Sequence, residues 1–334
     1  MLRYIICARK LRGGEFIPEP GPPKFLKVPD GELPGPQHHI KPGDWVKEVQ
    51  QAAADKADPR VSKAGDVLIF VHGYNNSIPI IDKRHSVLQE DLDREGWRGI
   101  VLSFDWPSAS STLNYLEDRS DAAATARYLV SHGVALLVNG QEKGCETNIH
   151  LLGHSTGAYV IMQAFTNADA HGELFKSDWR VGQVAFIGGD VSADSLDADS
   201  QWSNPMYRRI MRLTNYQNGY DNVLAISNAK RLGVKPRAGR VGLTPLADRK
   251  AVNVDCSEFF VTIDPKNQAN RIGSWNHSWH IGNPVFTRDL AMTLEGRIDR
   301  NCIPTRRMAA GRLYLQDGQR PPYEDSWLDA MAHA

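Results

Sequence analysis

Ile149-His150-Leu151-Leu152-Gly153-His154-Ser155-Thr156-Gly157 is the stretch from which the rest of the chain can be read. Ile149–Leu152 is a short apolar run, as expected of a strand buried on both faces, and Ala158–Ala168 behind it has helical pattern. Between them, Gly153-His154-Ser155-Thr156-Gly157 fits G-x-S-x-G. A serine on so tight a strand-to-helix turn sits in strained backbone geometry, and the flanking glycines remove side chains that would strike the neighbouring strand and helix. Such a turn sets the Ser155 Oγ at the carboxyl edge of a sheet, where a helix N-terminus favours developing negative charge. Ser155 is therefore the candidate nucleophile. The bland alternative is an ordinary glycine-rich turn.

On both sides the signal alternates between strand and helix. Val67–Val71, Ile100–Phe104, Val184–Ile187, Ile210–Leu213 and Phe259–Ile263 are further apolar runs that read as strands. Helical spacing is found over Trp45–Ala57, Leu116–Val138, Val223–Arg231 and Pro284–Leu294. This alternation predicts an α/β fold, a mostly parallel central sheet with helices on both faces. Residues 1–60 differ, with Pro18, Pro20, Pro22, Pro23, Pro29, Pro34, Pro36 and Pro42 interleaved with glycine. Proline lacks the backbone donor and fixes φ, so a continuous helix or inner strand is not expected there. The expected division is an N-terminal arm over 1–60, a catalytic domain over 61–298 and a C-terminal tail over 299–334.

The 334 residues carry 39 Lys+Arg and 39 Asp+Glu, a formal net charge of zero, with 41% hydrophobic residues. That is material for a large core, and the balance argues against a nucleic-acid partner, which calls for a basic face. No run of about 18 apolar residues predicts a membrane span, and the first residues do not read as a secretory signal. Cys7, Cys145, Cys256 and Cys302 form no CxxC pair, so reduced thiols and a cytoplasmic location are expected. No cofactor is called for. The His277/His280 pair lacks accompanying acid or Cys ligands, so no metal site is expected either.

After the first apolar strand comes Val71-His72-Gly73-Tyr74-Asn75-Asn76-Ser77. A serine nucleophile builds an oxyanion on its substrate, and preorganised N–H donors stabilise it by about 3 kcal/mol each. The backbone N–H groups of Tyr74 and Thr156 are the candidates, with a plain strand-ending turn as the alternative. Tyr74, Trp106, Trp275 and Trp279 flank the expected catalytic-edge loops, either lining a pocket or filling space between loops.

The His72-Gly73 loop and the Ser155 turn, each after an apolar strand, resemble the α/β-hydrolase fold of esterases and lipases. Val71–Ser77 followed by Phe104-Asp105-Trp106-Pro107-Ser108 resembles, more narrowly, a bacterial branch of that superfamily. The resemblance spans about residues 66–296, and departs at Thr156, where many relatives carry Met. It implies a Ser-His-Asp triad in the chain order nucleophile, acid, histidine. Of the 11 histidines, His277 and His280 follow the last expected strand. His277, in its His-Ser-Trp context, matches the family's pattern, whereas His171 comes too early and His333 lies in the tail. Asp221, before the Val223–Arg231 helix, is the implied acid, with Asp190 its rival and Asp194 a third option; a helix cap is the structural alternative for Asp221. The implied activity is hydrolysis of a small-molecule carboxylic ester through an acyl-enzyme. Acyl transfer with the same triad and a catalytically silent binding protein are the alternatives.

Overall fold

In the computed structural model, residues 1–58, 65–108, 115–139, 147–172, 179–229, 235–267 and 272–321 are described. Strands β1 (Arg3–Arg12), β2 (Glu15–Val28), β3 (His39–Ile40), β4 (Asp66–Val71), β5 (Gly99–Asp105), β6 (Ile149–His154), β7 (Val181–Ile187), β8 (Ile210–Gln217), β9 (Ala251–Asp255), β10 (Arg306–Ala309) and β11 (Arg312–Leu315) form one sheet. Their order is β10-β11-β9-β8-β7-β6-β4-β5-β1-β2-β3. From β11 through to β1 every neighbouring pair is parallel, and an antiparallel hairpin closes each end.

Each central strand feeds two cores by simple alternation. Val67, Ile69 and Val71 of β4 pack into one apolar layer with Trp45 and Val49, while Leu68 and Phe70 face a second layer with Leu88 and Leu92. The first layer is covered by α1 (Pro42–Lys56), α3 (Tyr115–Tyr128), α4 (Ala135–Asn139) and α5 (Thr156–Ala170). The second is covered by α2 (Ile78–Arg94) and the helix Pro284–Glu295. A π-helical turn over Leu129–Val134 joins α3 to α4. The sheet is thus covered on both faces, as the continuous apolar strands require.

The structure departs from the sequence reading in three places. Residues 3–12, in the stretch expected to be an arm, are an inner strand whose Tyr4–Cys7 pair with Leu102–Asp105. Four of the eight prolines, Pro18, Pro20, Pro22 and Pro23, lie in β2, near the rim, where the register slips between Cys7 and Lys10, so the missing donors cost no regular ladder. Gly13 and Gly14, both at positive φ, make the two-residue turn between these strands.

The run Phe259–Ile263 is not a strand. Ser257–Phe260 is a short helix, and Phe259 and Phe260 pack on Trp279. The strand is instead Ala251–Asp255, in which Asn253 bonds Asn215 at 2.8 Å and Gln217 at 3.0 Å. The amide ladder interrupts what would otherwise be a continuous apolar run, and so hides the strand.

In the expected tail, β10 and β11 form a hairpin, and Leu313 and Leu315 join the second core. Arg306 is fully buried there against Asp289 at 2.6 Å and reaches the Tyr216 hydroxyl at 3.2 Å.

Candidate active site

Strands β5, β4, β6, β7 and β8 end at one edge of the sheet, and the segments after β4, β6, β8 and β9 carry Tyr74, Ser155, Asp221 and His277 in turn. The β6–α5 turn holds Ser155 at φ 55° and ψ −121°, a strained conformation for a residue with a side chain. Ser155 N–H donates to the Ile187 carbonyl at 3.0 Å, and its carbonyl accepts from Asp190 and Ala158. These bonds fix the turn from both sides. Gly157 lies so close to β4 that a Cβ there would sit 2.0 Å from the Val71 carbonyl oxygen, and one on Gly73 would meet the Ser155 Cβ at 2.8 Å. The crowding explains both glycines.

Ser155 is only 3% exposed, yet it lines a cavity of about 220 Å³ together with Tyr74, Asn75, Arg84, His154 and His277. His277, in the short helix Trp275–Ser278, binds the Asp221 carboxylate through Nδ1 at 2.6 Å, and its buried Nε2 has no hydrogen-bond partner among the described residues. Ser155 and His277 therefore share a cavity, with one imidazole nitrogen tied to an acid and the other unoccupied. Gly188 packs against the imidazole and its acid: a Cβ there would lie 3.2 Å from the His277 ring and 3.4 Å from Asp221 Oδ2.

Asp221 also accepts from the Leu224 N–H through Oδ1 at 2.9 Å, at the start of the helix Asn222–Ala229. The two readings of this residue are therefore compatible, one oxygen capping a helix and the other holding the imidazole. Asp190 instead faces Arg237 at 3.1 Å, and Asp194 pairs with Lys235. His280 is buried away from the cavity lining, stacked on Trp279 at 4.2 Å and against Phe286. Burial, then the nearby His277, hold its pKa well below the ordinary value. His171 ends α5, and His333 and Cys145 lie outside the described residues.

Thr156 opens α5, where the first N–H groups have no carbonyl within the helix to bind. Tyr74 lines the cavity on the β4 loop. That loop is braced from beneath. Asn76 Nδ2 donates to the carbonyls of Gly73 at 2.7 Å and Tyr74 at 3.0 Å, and its own carbonyl accepts from Arg9 Nη2 at 3.0 Å. Arg9 Nε in turn lies 2.8 and 3.0 Å from the two oxygens of buried Asp105, which also faces His72 Nε2 at 3.3 Å. Burial opposes the charge on Asp105, but Arg9 and His72 outweigh it and leave the pKa lowered. His72 is a bracing residue, its ring stacked on Trp106. Of the four aromatic residues flanking these loops, Tyr74 reaches the cavity, whereas Trp106 and Trp279 are core and Trp275 packs on Phe260.

Two contributors escaped the sequence reading. Arg9 was hidden in the presumed arm. Arg84 lies on the buried face of α2 with Ile81, His85 and Leu88, so a charged residue within an apolar helical stripe was the available signal. Arg84 Nη1 donates to His154 Nδ1 at 3.3 Å, and His154 Nε2 then donates to the His277 carbonyl at 3.2 Å. The x residue of the G-x-S-x-G turn thus ties the nucleophile's turn to the segment carrying His277. Burial first, then Arg84 and His277, keep His154 well below its ordinary pKa, consistent with a neutral ring. Among the described residues no cluster of three or more His, Cys, Asp or Glu is arranged to hold a metal, and no helix is long and apolar enough to cross a membrane.

Comparison with known proteins adds a family. The model of the family described as "Alpha/beta hydrolase of unknown function (DUF900)" matches residues 50–267. No protein of curated function matches. Among solved structures, a candidate cell surface hydrolase from Lactobacillus plantarum WCFS1 is 11% identical, with TM-score 0.36, covering 70% of this chain and 90% of that one. A hyperthermophilic esterase from the archaeon Pyrobaculum calidifontis is 14% identical, with TM-score 0.35, covering 69% and 74%. The metagenomic carboxyl esterase MGS0156 is 13% identical, with TM-score 0.31, covering 82% and 83%.

Proposed function

The chain belongs to the alpha/beta-hydrolase family that its residues 50–267 match, and on that premise we propose that it is a serine hydrolase cleaving carboxylic esters through an acyl-enzyme. The observation that carries the reading is the shared cavity. A strained serine and an imidazole with one free nitrogen line the same space, and the imidazole's other nitrogen is held by a buried carboxylate.

In this reading Ser155 Oγ attacks the ester carbonyl while His277 Nε2 takes its proton. Asp221 keeps the Nδ1–H tautomer and balances the imidazolium that forms. The N–H groups of Thr156 and Tyr74 hold the oxyanion. His277 returns the proton to the leaving alcohol as the tetrahedral intermediate collapses. Water, deprotonated by the same nitrogen, then attacks the acyl-enzyme and releases the acid. Side chains, backbone donors and water supply every step.

The test is labelling with a fluorophosphonate probe alongside hydrolysis of p-nitrophenyl esters of increasing acyl length. Wild-type protein is expected to label and to turn over at least one ester, and Ser155→Ala to do neither. Folded wild-type protein that does not label would overturn the proposal.

A further inference from the structure

Arg84 is 4% exposed and lines the cavity beside Ser155. Its guanidinium contacts are the His154 ring, the Ile272 carbonyl and the Ser278 hydroxyl, each at 3.3 Å. All three partners are neutral or held neutral, all three bonds are long, and among the described residues no carboxylate pairs with it. The other buried guanidiniums at hand behave differently. Arg9 has Asp105, Arg237 has Asp190 and Arg306 has Asp289. Burial with no compensating charge pulls the Arg84 pKa down to about 10. A desolvated charge left unpaired is costly, and an anion entering the cavity would relieve that cost.

Bracing alone does not account for a cation here. Amide or hydroxyl donors would tie His154 to the 272–278 segment equally well, without the burial penalty. What a guanidinium adds is a planar, permanently charged fork suited to a carboxylate or phosphate.

We propose that the substrate carries an oxyacid anion, a carboxylate or phosphate, which pairs with Arg84 while its ester lies against Ser155. This rests on the ester-hydrolase reading and deepens it. The cavity of about 220 Å³ suits a short acyl group between the two functions, so a hemiester of a small dicarboxylic acid is the simplest form.

The experiment compares kcat/KM for 4-nitrophenyl hemiglutarate with that for 4-nitrophenyl valerate, a neutral ester of the same chain length. Wild-type protein is expected to favour the hemiglutarate at least tenfold. The ratio should fall to near one in Arg84→Met and be partly retained in Arg84→Lys. The ratio is the readout, because Arg84 also braces the His277 segment and absolute rates will fall in both variants. Calorimetry of glutarate and of inorganic phosphate with Ser155→Ala protein forms the second arm, and the tighter binder identifies the oxyacid. A wild-type ratio near one overturns the proposal and leaves the hydrolase reading standing. If no ester is cleaved at all, the hydrolase reading fails instead. The anion site then stands if glutarate or phosphate binds and Arg84→Met abolishes binding, and falls if neither binds.

Discussion

Arg9→Met is the substitution that most directly probes how the chain's first strand supports the site. The guanidinium and its partner Asp105 are each 4% exposed, and Arg9 also donates to the Asn76 carbonyl at 3.0 Å. Removing one member of a buried pair leaves an uncompensated charge, typically at a cost of about 3–5 kcal/mol. Unfolding entropy of about 2.1 cal/mol/K per residue gives roughly 0.7 kcal/mol per degree for this length, so Tm should drop by about 4–7 °C. The lost Asn76 contact loosens the loop bearing Tyr74, so kcat for a hydrolysed ester should fall about tenfold, with KM changing less; one full oxyanion donor sets the upper bound near 3 kcal/mol. The assay is thermal unfolding by circular dichroism with steady-state kinetics, repeated in an Asp105→Asn background. With the carboxylate neutralised, Arg9→Met should cost at least 2 kcal/mol less than in wild type, a coupling that a double-mutant cycle measures directly. Equal costs in both backgrounds would show that charge pairing is not what Arg9 contributes.

Two further outcomes follow from the same geometry. Asp221→Asn should lower kcat by about 10⁴-fold, the size of effect seen when a triad acid is made neutral and the histidine tautomer is lost, while Tm moves only a few degrees because an asparagine still caps the helix; ester kinetics and thermal melts separate the two effects. Stability should also fall in mild acid. His85, His154 and His280 are buried, with pKa values lowered chiefly by burial, that of His85 to about 3. The unfolded chain takes up protons at these sites as pH falls below about 6.5 and the folded chain does not, so stability is full above that pH and declines below it. Uptake by the unfolded chain alone should cost on the order of a few kcal/mol between pH 7.5 and 5.5; urea midpoints that do not change over that interval would contradict it.

The middle of the molecule was legible in the sequence because both signals there are local. β4, β6 and β7 are apolar on both faces, and the serine turn lies between two of the elements it joins. Asp221 and His277 were reachable because the resemblance supplied a chain order, although 56 residues separate them. The rims were harder to read. β1 is apolar over Tyr4–Ala8, but the prolines that follow mask it, and Gly13-Gly14 carries no strand pattern of its own on the proline side. β9 carries the amide of Asn253 where a continuous apolar run would have an apolar residue, while the aromatic run beyond it packs as a helix, a confusion inherent in short apolar segments. Arg84 and Arg9 gave only a faint signal, since the meaning of a buried charge depends on a partner that folding brings from elsewhere.

The two hairpins that terminate the sheet also bear on where the chain can be cut. A fragment limited to residues 50–267 would lose β1 and β11, leaving β5 and β9 with bare backbone along one side each. It would lose Arg9 as well, and with it the counter-charge to Asp105. At the other rim, Asp289 receives its guanidinium only when the ribosome has passed position 306. The carboxylate therefore stays unpaired while the 17 residues that separate it from Arg306 are being made, and the hairpin that follows brings its counter-charge and its sheet edge in together.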